Sequence, residues 1–163
     1  MPLLTLRCQE WLPILMAPDN QISTEESMKT EVMKTQGAFS WNELMTSDVQ
    51  GAKAFYGELL GWVLNDMESD CMPEGMSYTM AKVGGVERAG IMEIPAEAKA
   101  NGMPPTWGSY ITVDDVDAMV LRVVKLGGKI CVPPQDIPNV GRFSVITDPQ
   151  GAAVSLITYF DTE

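Results

Sequence analysis

The sequence predicts an α+β fold in which two tandem βαβββ modules form a curved, half-open barrel around a cleft. Three observations predict it. The chain repeats itself: residues 44–62 align with 111–129, so Asp48-Val49 recurs as Asp115-Val116 and Leu59 as Leu126, each 67 positions later. Internal repetition constrains a fold more strongly than composition does. Each copy also runs in the same order, with a short apolar stretch, Asp-Val, a helical stretch and then glycine. Finally, one such unit alone would leave a face of its sheet uncovered, so two must pair.

In module one (37–100), residues 39–45 alternate as a strand. Asp48 is placed to cap a helix running to about Leu60, and Gly61 to stop it. Ala52, Phe55, Tyr56, Leu59 and Leu60 recur at helical spacing and are expected to form its buried stripe. Strands are expected near 62–66, 76–83 and 86–94, with a hairpin turn at Gly84-Gly85, and then a crossover loop over 95–105. Module two (103–160) repeats the order. It has a strand at 107–113 and a helix capped by Asp114 or Asp115 that ends near Leu126 before Gly127-Gly128. Strands follow near 129–132, 141–147 and 152–159, the last two joined by the turn at 148–151. The domain spans 37–163. Residues 1–36 lie outside the repeat and are expected to be an ordered extension. Its stretch 19–36 has linker composition, and its apolar residues Leu3, Leu4, Leu6, Trp11, Leu12, Ile14 and Leu15 are expected to cover a sheet edge or reach a partner subunit.

With 163 residues and 45% hydrophobic residues, the chain has single-domain length and can bury a core. Its net charge of −11 argues against nucleic acid or an anionic membrane as a partner. The chain contains no histidine, which removes the commonest general base, the commonest zinc ligand and every Ser-His-Asp or Cys-His arrangement. Cys8, Cys71 and Cys131 are widely spaced, with no CxxC, and fit reduced thiols in a cytoplasm. No apolar run reaches membrane-spanning length. Glu10 and Pro13 interrupt the apolar start and no small-residue cleavage site follows, so secretion is not expected.

Asp48-Val49 with 55-FYGELLGW-62 in module one, and 113-VDDVD-117, 126-LGG-128 and 147-TDPQG-151 in module two, resemble the vicinal oxygen chelate superfamily. That superfamily includes glyoxalase I, bleomycin-resistance proteins, extradiol dioxygenases and methylmalonyl-CoA epimerase. The resemblance covers about residues 37–160. It implies metal ligands on the first and last strands of each module. The first-strand positions fall on Trp41 and Gly108, and the last-strand position of module two on Ser155. The fourth lies in strand 86–94, where Ala89, Ile91 and Glu93 share a face and only Glu93 could coordinate. One carboxylate does not make a metal site. No metal and no cofactor are therefore expected.

Strand alternation places Trp41, Glu43 and Met45 in the cleft, with Gly108, Tyr110 and Thr112, and with Ala153, Ser155 and Ile157. Phe143 and Val145 join them. The third strand contributes either Met76, Tyr78 and Met80 or the alternate set. Such a cleft suits a small apolar or aromatic molecule. Trp41, Glu43, Met45, Glu93, Tyr110, Phe143 and Ser155 are the expected ligand-binding residues, and Glu43 and Glu93 the candidates for acid–base chemistry. Glu43 and Glu93 in one partly apolar cleft could raise one another's pKa or hold a cation, with Trp41 adding a cation–π contact. Alternatively, Glu43 pairs with Arg88 or Arg142 or lies in solvent. The leading expectation is a metal-free protein that binds a small organic ligand, cationic or aromatic, and forms a homodimer. A metal-independent lyase or isomerase using Glu43 or Glu93, and an interaction protein with a filled cleft, are the alternatives.

Overall fold

The structure is a computed structural model, and it describes residues 31–67 and 77–161. The readings made for residues 1–30, for Cys71 and for Met76 lie outside the described residues. The elements are β1 (Phe39–Thr46), α1 (Val49–Leu60), β2 (Val63–Asp66), β3 (Tyr78–Val83), β4 (Val86–Glu93), α2 (Ala96–Ala100), β5 (Thr106–Thr112), α3 (Val116–Lys125), β6 (Lys129–Ile137), β7 (Gly141–Thr147) and β8 (Ala153–Tyr159). Together the strands make one curved, open, mixed sheet in the order β2-β3-β4-β1-β5-β8-β7-β6. The two βαβββ units meet at an antiparallel β1–β5 seam. Within each unit the first strand is parallel to the last, β1 to β4 and β5 to β8.

Local chemistry accounts for the elements. Asp48 accepts from the Gly51 amide at 2.8 Å and Asp115 from the Ala118 amide at 3.0 Å, each satisfying a free N–H of a first helical turn. Asp115, not Asp114, is thus the second cap. Gly61 ends α1 in the left-handed region at φ 65°, where a Cβ would be strained. Gly84 and Gly85 both have positive φ and close the two-residue hairpin between Val83 and Val86. Two stretches differ from expectation. The crossover contains the short helix α2, because Ala-Glu-Ala-Lys-Ala combines strong helix formers directly after Pro95. Strand β6 continues through Pro133-Pro134 to Ile137, which is possible because β6 is an edge strand and its pairing with β7 is irregular between Val132 and Gln135, so neither proline has a ladder partner.

Helices α1 and α3 cover the convex face unequally. Under α3 the core is Val113, Val116, Val120, Ile146 and Leu156. On the corresponding face of module one, Leu44, Thr79, Ala81, Ala89 and Ile91 are buried, yet α1 has no buried residue. The expected stripe is rotated. The half-buried side is Val49, Ala52, Lys53 and Tyr56, while Phe55 and Leu59 are 58% and 62% exposed. Two contacts fix that rotation: Lys53 reaches Asp66 of β2 at 2.8 Å, and Tyr56 stacks on Trp62 and receives the Trp107 indole N–H at 3.0 Å. The end of the extension docks on β5, where Thr112 donates its hydroxyl proton to the Val32 carbonyl and Gly37 its amide to Thr112.

Ile91 has no exposed surface and sits under this convex-face packing. Ile91→Ala is expected to cost about 2–5 kcal/mol, as buried large-to-small changes do. Urea unfolding would show a lower midpoint at unchanged slope.

Candidate functional site

The site forms where the repeat folds onto itself. Asn42 pairs with Ser109, its counterpart 67 residues on, and the Ser109 hydroxyl donates to Asn42 Oδ1 at 2.9 Å. The pseudo-twofold axis relating the modules therefore passes between these residues. One step along each strand, Glu43 and Tyr110, themselves counterparts 67 positions apart, reach the concave face and meet: the Tyr110 hydroxyl donates to Glu43 Oε1 at 3.0 Å. Tyr78 arrives from β3 and donates to Glu43 Oε2 at 2.9 Å, while the Trp41 indole N–H donates to Tyr78 Oη at 2.9 Å.

Gly90 makes this approach possible. It lies in register with Glu43 on one side and Met80 on the other, and a Cβ there would collide with the Tyr78 ring and hydroxyl. Around the cluster, Met45, Met80 and Met92 line the module-one half of the concave face by register. On the module-two half, Phe143 and Val145 pair with Ile157 and Ser155. The Phe143 ring centroid is 6.3 Å from that of Tyr110.

Glu43 is 8% exposed. Burial pushes its carboxyl above the usual range, and the two phenol hydrogen bonds pull partly in the opposite direction. Burial and the neighbouring carboxylate push Tyr78 and Tyr110 far above the usual phenol range, so both keep their protons. The carboxylate oxygens are held by phenols and not by Arg142, which instead bridges Asp117 at 2.6 Å and Asp136 at 2.8 Å.

The structure brings Trp41, Glu43, Tyr110 and Ser155 together and sets Met45 and Phe143 on the same face. Glu93 is elsewhere. It pairs with Thr46 and shares the parity of Ile91, which packs beside Leu44 on the convex side. Its side chain is 61% exposed and pairs with Lys99 at 3.0 Å. Glu43 and Glu93 therefore cannot act on one ligand. Strand reasoning left the parity of β3 open and so did not single out Tyr78. Gly90, a glycine inside a strand, was the available signal of close approach.

The register also identifies the fourth position of the metal pattern. Gly90 stands to Glu43 as Ser155 stands to Tyr110. The four positions thus hold Trp41, Gly90, Gly108 and Ser155. Among the described residues no group of three or more His, Cys, Asp or Glu side chains converges. These residues do not fit a metal ion.

Two depressions meet β1 at Asn42. One of about 340 Å³ lies between Trp62 and Trp107, and one of about 220 Å³ is bordered by Phe39, Ser40 and Trp41. Only the second touches a member of the cluster.

The description "Glyoxalase/Bleomycin resistance protein/Dioxygenase superfamily" matches residues 38–156. The chain belongs to this superfamily. It is 47% identical over 122 residues to the candidate glyoxylase CFP32 of Mycobacterium tuberculosis, covering 74% of this chain and 45% of that protein. It is 32% identical over 130 residues to the anthracycline biosynthesis protein DnrV of Streptomyces peucetius, covering 74% and 46%. The chain thus spans about half the length of the curated relatives it matches. Methylmalonyl-CoA epimerase from M. tuberculosis shares the fold, with TM-score 0.52, 18% identity and coverage of 76% and 90%.

The raised Glu43 carboxyl has a defined consequence. The folded state holds its proton more tightly than the unfolded state, so this residue's contribution to stability falls as pH rises from about 4.5 through the folded-state value. Glu43→Gln removes that term. The wild-type stability minus the variant stability, from urea unfolding at a series of pH values, should decline across that window.

Proposed function

We propose that this superfamily member binds a small organic molecule, aromatic or cationic, on the concave face of its sheet. The ligand would lie against Trp41, Glu43, Met45, Tyr78, Tyr110, Phe143 and Ser155. The observation that carries this reading is a buried carboxylate and two phenols converging at the centre of a face otherwise lined by methionine and aromatic side chains. Small-molecule sites have this composition, a few convergent polar groups in an apolar lining, and methionine linings adapt to varied shapes. Binding is proposed to need no metal, because the positions that would supply ligands hold Trp41, Gly90, Gly108 and Ser155. The acidic surface makes nucleic acid an unsuitable partner. Among the described residues no helix is long and apolar enough to cross a membrane, and we place the protein in the cytoplasm on its thiol usage.

A second reading is favoured by the raised Glu43 carboxyl: a metal-independent lyase or isomerase in which Glu43 takes a proton from the bound molecule. Carboxylates shifted toward neutrality are suited to that work. Both readings are testable with a library of aromatic and cationic compounds in a thermal-shift assay. Stabilisation by at least one class is expected in the wild type, and loss of that shift in Glu43→Gln and Trp41→Ala. Shifts that survive both substitutions would move the site elsewhere. A proton-transfer role further requires exchange of a ligand C–H with solvent deuterium that Glu43→Gln abolishes.

We also propose that two copies associate through the apolar outer surface of module one, where Phe55, Leu59, Leu60 and Val63 are exposed. CFP32 and DnrV, of which the matched stretch covers 45% and 46%, leave room for a second domain in that role. Leu59→Glu is expected to convert a dimer to a monomer by light scattering without changing the circular dichroism spectrum. An unchanged mass would remove this surface as the interface.

A further inference from the structure

The protons of the Glu43 cluster all run in one direction. The Trp41 indole nitrogen can only donate, and it donates to Tyr78 Oη at 2.9 Å. The Tyr78 oxygen is thereby an acceptor toward Trp41, and its own proton goes to Glu43 Oε2 at 2.9 Å. From the other module the Tyr110 proton goes to Glu43 Oε1 at 3.0 Å. Indole and both phenols therefore spend their protons inside the cluster. What these oxygens present to the concave face is lone pairs on Tyr78, Tyr110 and the carboxylate itself.

A ligand carbonyl or carboxylate placed there would meet lone pairs with lone pairs, and an anion would also meet the Glu43 charge. A ligand N–H or O–H would find the remaining lone pairs of these oxygens: each carboxylate oxygen accepts from one phenol, Tyr78 Oη accepts from Trp41, and Tyr110 is hydrogen-bonded by Ser155. Resting on the reading that the concave face binds a small molecule, we propose that it selects a hydrogen-bond donor. That donor is an ammonium, amino or hydroxyl group carried on an apolar or aromatic body, and carbonyl and carboxylate groups are excluded. The body would lie on Met45, Phe143 and the Trp41 ring, which are half-buried on the same face. Sites built to pair with a polar group discriminate strongly against analogues that leave their own polar atoms unpaired.

Matched probes test this. Benzylammonium is compared with benzoate. Phenylethanol is compared with acetophenone, a neutral pair that removes the general attraction of an acidic protein for cations. Each is titrated into the full chain at physiological salt and followed by NMR at the Trp41 indole N–H and at the rings of Tyr78 and Tyr110. Benzylammonium and phenylethanol are expected to shift these signals, with affinities at least about tenfold above those of benzoate and acetophenone. In Glu43→Gln the side-chain amide brings its own donor and frees one phenol proton, so the preference within the neutral pair should collapse. Equal or tighter binding of acetophenone or benzoate to the wild type, with shifts at the same signals, overturns donor selection and leaves the cleft reading standing. A preference unchanged in Glu43→Gln also overturns it. No shift at these signals with any of the four probes removes the cleft reading itself.

Discussion

The β1–β5 seam is the constraint on which everything else depends. Among the described strands it is the one pairing that joins the two modules, each of which has its first strand parallel to its last. Its register is not free to slide. A shift of one residue would carry Glu43 and Tyr110 to the convex side and bring Leu44 and Ile111 to the concave one. The Asn42–Ser109 hydrogen bond on one side of the sheet and the Glu43–Tyr110 bond on the other hold the same alignment. Polar groups at the seam thus specify how two apolar modules meet, which apolar packing alone would define less sharply.

That specification has an energetic cost. Removing a carboxylate from water carries a penalty on the order of several kcal/mol, and hydrogen bonds to a charged group return about 1.5–3 kcal/mol each. Two such bonds offset much of the penalty without eliminating it, which agrees in sign with the raised Glu43 carboxyl. The cluster therefore adds little net stability of its own. Fold stability comes from the convex side, from the α3 core and from Ile91 and its neighbours.

The architecture was legible because the repeat is written in residues that act locally. Asp48 and Asp115 cap helices, Gly61 and Gly127 end them, and Gly84-Gly85 turns a hairpin, all through interactions spanning a few residues. The shared face of Trp41, Glu43 and Tyr110 followed from strand alternation alone. Glu93 did not, because alternation gives two possible faces and only pairing with β1 chooses between them. In β4, Gly90 and not Ile91 lies beside Glu43. The buried face of α1 was misread for a related reason. Helical spacing located an apolar row at Phe55 and Leu59, but the rotation of the helix was decided by Lys53 reaching Asp66 and by Tyr56 reaching Trp62 and Trp107. Each of these errors concerns a choice made by contacts distant in sequence.

The duplication explains the site only where it is broken. A symmetric pair of modules would place the same residue at 43 and 110. Two glutamates would oppose two negative charges in a buried place, and two tyrosines would provide no charge to organise. Glutamate in one copy and tyrosine in the other turn a pair of equivalent positions into acceptor and donor. The same asymmetry recurs beside them, with tryptophan at 41 against glycine at 108, and glycine at 90 against serine at 155. Gly90 admits Tyr78 to the carboxylate, and Trp41 then fixes which way that phenol points. In module two the equivalent space holds Ser155 and Phe143, and no second phenol enters from β7. The backbone repeat supplies a symmetric cup, and departures from symmetry at four side-chain positions give it one carboxylate and one direction of hydrogen bonding.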